Sequence, residues 1–155
     1  MQSLDGIRIV TTAVNVPGPV AVAMLRDKGA AVVKAEPPDG DPLSRWAPLW
    51  YSELCAGAEV LALDLKTPDG RDRLDASLAA ADLFVTSSRP ASLGRLGLAW
   101  SDLRARHPRL CHLAIVGYAA PRQGMAGHDL TYQAVAGLLT PPALPISLVA
   151  DLAGA

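Results

Sequence analysis

Apolar positions along this chain cluster in short, nearly unbroken runs, separated by longer segments in which they return every three or four residues. The runs at residues 7–14 (IRIVTTAV), 31–36 (AVVKAE), 59–65 (EVLALDL), 83–87 (LFVTS) and 110–117 (LCHLAIVG) lack the strict alternation of a sheet with one wet face. Continuous apolarity over so few residues is what a strand covered on both sides shows. The intervening segments carry helix signals. Pro19 suits the first turn of a helix bearing Val20, Met24 and Leu25 and stopping at Gly29, while Thr67 followed by Pro68 opens one bearing Leu74 and Leu78. A Thr oxygen accepts an N–H that the helix start leaves free, and proline has no N–H to lose there. Residues 89–108 read as a short helix and then a second one capped by Ser101, and Asp129 is placed to cap a helix over 130–139. Two stretches are less regular. Residues 37–58 have no clean period and predict a long loop with one helical turn, and residues 145–155 predict a short strand-like run. Loops as long as the first tend to be functional.

Strands alternating with helices at this spacing predict an α/β fold: a Rossmann-like, mainly parallel sheet with helices on both faces. Residues 7–36 form its first β-α-β unit, joined right-handedly. Ligands of such sheets bind beyond the carboxyl ends of the strands. The segments NVPGP, PPDGDPLSR, SSRPAS and GYAAPRQGMAGHD follow strands one, two, four and five, so the fold gathers them on one edge.

Composition narrows the function classes. Half of the 155 residues are apolar, enough for one core of ordinary size, so residues 1–155 are expected to form a single domain. The 14 basic and 15 acidic residues nearly cancel, which leaves no field to attract nucleic acid or an anionic membrane. Cys55 and Cys111 lie far apart without a Cys-x-x-Cys spacing, so no metal site and no disulfide framework is expected. The start, MQSLDGIRIV, is acidic where a signal peptide is basic, and no run reaches the ~20 apolar residues of a membrane span. A cytoplasmic protein is the expectation. There is no G-x-G-x-x-G, no G-x-x-x-x-G-K-[ST] and no G-x-S-x-G, so the loops of dinucleotide sites, P-loops and serine-hydrolase elbows are missing.

A pattern spread over the whole chain remains. LDGIRIV, GPVAVAMLRDKGAAVVKAEPPDGDPLSR, LALDLKTPDGRDRLDASLAAADLFV, SRPASLGRLGLAWSDLRARHPRLCHLAIVGY, GHDLTYQAVAGLL and VADLAGA, in this order over residues 4–155, resemble the N-terminal half of the class III CoA transferases. This is the CaiB/BaiF type, which includes the 2-methylacyl-CoA racemases. The resemblance implies a coenzyme A thioester as substrate, with no tightly bound cofactor. It makes His128, of the Gly-His-Asp motif, one acid/base group and Asp151 the other in racemase chemistry, with Asp151 the nucleophile in transferase chemistry. Arg89 corresponds to the family arginine that contacts CoA phosphates, and Arg45 to one placed near the ligand. Proton transfer next to a thioester carbonyl needs two groups of near-neutral pKa on opposite faces, which a histidine and a carboxyl supply. A transferase needs an attacking carboxylate in a neighbourhood of small residues, which Asp151-Leu-Ala-Gly-Ala supplies.

The chain also departs from the family pattern. A basic Asn-Arg-x-Lys-Arg-like stretch before the third strand is here ELCAGAEV, the Arg-Pro-Gly motif is Arg-Pro-Ala, and the glycine-rich loop after the fifth strand reads GYAAPRQGMAG. The resemblance implies a second domain that this chain does not carry. An alternative function therefore stands beside the enzymatic one: a truncated, divergent homologue acting as a binding or assembly subunit, or one with different, non-CoA chemistry. In either case the expected partner is another copy or a separately encoded C-terminal half.

Taken singly, the same residues have plainer explanations. His128 at a helix entrance suits a cap or a surface position, Asp129 is explained by capping alone, and Arg89 and Asp151 suit solvated positions. His107 and His112 read as loop and strand residues without partners. Trp46, Trp50 and Tyr51 either line a pocket or cover a partner surface.

Overall fold

The computed structural model describes residues 2–155. Five strands, β1 (Arg8–Thr11), β2 (Ala31–Glu36), β3 (Glu59–Ala62), β4 (Leu83–Thr86) and β5 (Cys111–Ala114), form one sheet. All pairings are parallel, in the order β3-β2-β1-β4-β5. The predicted α/β class, mainly parallel with helices on both faces, is the observed one. The chain winds outward from β1 through β2 to β3, returns to β4 beside β1 and winds the other way to β5. Direction therefore reverses between β1 and β4, and a crevice opens there at the carboxyl edge.

Successive strand residues feed opposite faces, as the period of a strand requires. Val10 and Phe84 pack with Leu74 and Leu78 of α4 (Pro68–Ala79), Leu93 of α5 (Pro90–Arg95) and Leu103 of α6 (Trp100–Arg106). Ile9 and Val85 pack on the other face with Val22 of α1 (Pro17–Arg26). Phe84, Ile9, Leu74, Leu78 and Leu103 are among the fully buried side chains, each stabilising the fold by about 1.5–3 kcal/mol relative to exposure. Thr67 caps α4 as predicted, accepting the Gly70 N–H at 3.1 Å.

Apart from β2, the strands end sooner than their apolar runs. At β1 the Thr11 hydroxyl takes over the ladder, donating to the Val85 carbonyl and accepting the Ala13 N–H, both at 3.0 Å. The chain then turns away at Asn15, whose φ of 67° is one that Asn tolerates better than most residues.

Several expectations are corrected. Residues 37–58 hold two short helices, α2 (Leu43–Trp46) and α3 (Pro48–Leu54). No α3 residue is buried, so no apolar stripe could announce it. A charged network holds the segment instead. Lys34, only 3% exposed, reaches Glu36 Oε1 and Asp41 Oδ2, both at 2.6 Å. Tyr51 donates to Glu36 Oε1 at 2.9 Å, and Asp41 Oδ1 accepts the Asn15 and Leu43 N–H groups at 2.9 Å each. Ser101 is not a cap: α6 begins at Trp100, with Ala99 in the cap position. The helix predicted for 130–139 is α7 (Asp129–Val135), with His128 in the cap position, and residues 145–155 form a helical turn, α8 (Val149–Ala153), where a strand was expected. No helix of the described residues is long and apolar enough to cross a membrane.

Candidate active site

The loops after β1, β4 and β5 surround a cleft of about 910 Å³ at the crevice. Asn15, Ser87, Ile115, His128, Tyr132 and Asp151 are among its walls. A smaller cleft of about 360 Å³ adjoins it, bounded by Ser88, Arg89, Ser92 and Gln123, and shares Ser87, Gly117, His128 and Tyr132 with the first. Three of the four predicted site residues are thus brought to one continuous depression: His128 at the junction, Asp151 in the larger part and Arg89 in the smaller. Arg45 is not. It lies exposed on α2 with Nη1 on the Asp39 carbonyl at 3.0 Å, and only its neighbour Trp46 reaches the cleft wall.

His128 owes its position to the start of α7. Its carbonyl accepts the Thr131 N–H at 2.8 Å and its own N–H reaches Thr131 Oγ1 at 3.5 Å, so the backbone is fixed while the side chain is exposed at the junction. Behind it the Tyr132 ring lies against two glycines. A Cβ on Gly117 would stand 1.8 Å from the Tyr132 hydroxyl, and one on Gly127 would stand 2.6 Å from the ring. Tyr118 meets the same ring edge-on at 5.3 Å. The space beside these two glycines is therefore occupied by a packed aromatic, which keeps the approach to His128 in place.

Asp129 is a cap, though not of its own helix. It is 5% exposed at the first position of α7. From there its Oδ1 accepts the Ala150 N–H at 2.7 Å and the Asp151 N–H at 3.0 Å, in the first turn of α8. Its Oδ2 accepts from the Gln133 side chain, whose Nε2 also donates to the Ser147 carbonyl at 3.1 Å. Asp129 and Gln133 together clamp residues 147–151 to α7, and that clamp sets Asp151 in the cleft. Gln133 was not singled out from the sequence. Its spacing of four from Asp129 is the only local signal.

The Asp151 carboxyl has its pKa raised above the ordinary carboxylate value, first by burial and next by the neighbouring Asp129 charge, while His128 acts in the opposite direction. A carboxyl held partly toward its protonated form is suited to giving and taking a proton. The other two histidines do have partners, contrary to expectation. His112 Nε2 lies 3.0 Å from Thr86 Oγ1 between the Phe84 and Trp100 rings, and His107 Nε2 lies 2.9 Å from Asp75. Both are structural contacts away from the cleft.

Residues 4–144 match the CoA-transferase family III. The chain is 29% identical over 147 residues to the succinyl-CoA–D-citramalate CoA-transferase of Chloroflexus aurantiacus, covering 88% of this chain and 37% of that protein. It is 32% identical over 162 residues to the human alpha-methylacyl-CoA racemase, covering 99% and 41%. A solved structure of a hypothetical protein from Mycobacterium tuberculosis superposes with a TM-score of 0.88 at 28% identity, covering 99% of this chain and 46% of that one. The chain spans less than half the length of these relatives.

Proposed function

Because the chain belongs to CoA-transferase family III, we propose that its cleft handles the acyl part of a coenzyme A thioester and moves the proton next to the thioester carbonyl, in the manner of a racemase. His128 and Asp151 are the two acid/base groups of this reading. Arg89, in the adjoining smaller cleft, faces the phosphates, and Arg45 stays outside the site unless α2 moves. One observation carries the proposal: a histidine and a carboxyl of raised pKa border one cleft at the switch point of a parallel sheet. Inversion at the carbon requires one group, deprotonated, to take the α-proton from one face while the other, protonated, delivers its own proton to the opposite face, and a histidine and such a carboxyl can fill either part. No tightly held cofactor enters this scheme, and the working unit is an assembly with another copy or a separately encoded C-terminal half, in a cytoplasmic setting.

A transferase reading is second. It draws on the small residues around Asp151, which leave room for an acyl group at the carboxylate, and on the similarity to the Chloroflexus enzyme. A subunit role without catalysis is third, favoured by the absence of any Lys or Arg from Glu53 to Val60.

Incubation with a 2-methylacyl-CoA in heavy water separates the three. The expected result is deuterium at the α-carbon, with Asp151→Asn and His128→Asn each reducing exchange by about 10²-fold or more while the circular dichroism spectrum is unchanged. CoA transfer to a carboxylic acid through a hydroxylamine-sensitive enzyme thioester, without exchange, supports the second reading. Neither activity in the assembled protein sinks both enzymatic readings.

A further inference from the structure

We infer that the acyl group taken by this cleft is uncharged and apolar, and that chains ending in a carboxylate are rejected. The inference rests on the acyl-thioester reading above and names the substrate class of that site. Beside His128, Asp151 and the uncharged polar Asn15, Ser87 and Ser147, the larger cleft is walled mainly by apolar side chains, among them Trp46, Leu130, Leu144, Ile146 and Leu148. Trp46, Leu144 and Ile146 stay largely exposed, so their apolar surface is free to be covered. No Lys or Arg among the described residues lines this cleft. Its acids, Asp129 and Asp151, offer an incoming carboxylate no countercharge. Arg89 lies in the other cleft, across the His128 junction.

An acyl thioester laid across the two clefts therefore has its charges on the Arg89 side and its carbonyl at His128. Its tail lies on an aliphatic and indole wall. A methylene covered by that wall gains up to about fourfold in affinity, while a terminal carboxylate loses its water and finds no cation. His128 does not replace the missing cation: a carboxylate reaching it meets Asp151 as well.

The test compares isosteric pairs, butyryl against succinyl and valeryl against glutaryl, together with an acetyl-to-octanoyl series. Each is presented both on CoA, by calorimetry, and on N-acetylcysteamine, by ligand-observed NMR. Expected are affinities that rise with chain length and dicarboxylic esters at least about tenfold weaker than their isosteres. Ile146→Arg, at an exposed position where the fold does not depend on the side chain, should shrink that ratio toward one. If the CoA esters fail to bind while the short thioesters keep the preference, the inference stands and the CoA reading falls. A flat chain-length series on both carriers, succinyl binding as well as butyryl, an unchanged ratio in the Ile146→Arg protein, or no acyl-dependent binding on either carrier overturns it.

Discussion

Asp151 is held against its own charge. Burial and Asp129 favour its protonated form in the folded chain, whereas the unfolded chain titrates it normally. The folded state therefore binds this proton more tightly, and stability falls as pH rises from the ordinary carboxylate range through the raised pKa. Asp151→Asn should be more stable than the native chain near neutral pH, and the gain should vanish below pH ~3. Urea titrations at both pH values check this; a loss of stability at neutral pH would mean that the anion is welcome there. Asp129 carries the opposite expectation. Its carboxylate satisfies two N–H groups of α8 and the Gln133 amide, so Asp129→Ala should destabilise by about 0.5–2 kcal/mol through the lost cap alone. Proton exchange should fall too, because Asp151 loses its mooring. The sequence marked Asp129 as a cap and missed which helix it serves, since the N–H groups lie more than twenty residues onward and no local spacing reports them.

Elements announced by apolar continuity were the legible ones. All five strands sit inside their predicted runs, as does α4 with its Thr cap and its buried Leu74 and Leu78, because both signals are local and repeat along the chain. Helix α1 instead starts at Pro17 and buries Ala21, Val22 and Ala23, leaving Met24 of the predicted face exposed. The segment from Pro37 to Ala58 escaped because polar groups fold it. Its helices hang on Lys34, Glu36, Asp41 and Tyr51, and the only trace in the sequence is a lysine and a glutamate within the strand run AVVKAE. Lys34→Met should cost about 3–5 kcal/mol, since it leaves two buried carboxylates without their cation. Thermal or urea unfolding reads this directly, and a near-neutral result would show the network to be replaceable by packing. Burial works against the Lys34 ammonium, yet its bonds to Asp41 and Glu36 and the Asp41 charge raise its pKa overall. Its contribution is thus complete below the normal lysine range and is lost only as pH climbs through the raised value. Loosening of α2 and α3 in alkali should accordingly begin above pH ~10.4.

At the scale of the molecule, the sheet has two open edges, β3 and β5. Val60 on one and Leu113 on the other are exposed, as are Val135 and Leu138 at the end of α7 and Leu49 on α3. An unpaired strand edge carries free N–H and C=O groups, and apolar side chains beside it add a surface that water covers poorly. This is the physical basis for expecting an assembly, independent of any likeness to other proteins. The cleft walls belong to the same end of the molecule, since residues 144–148 lead from α7 into α8. Sedimentation velocity across a concentration series should show species heavier than one chain. Substituting Val135 and Leu138 together by Glu should shift them toward the single chain without unfolding it, because both side chains are exposed. If the native chain sediments as a monomer throughout, the expectation of a homo-oligomer falls, and co-expression with a C-terminal half of the family becomes the remaining condition under which proton exchange should appear.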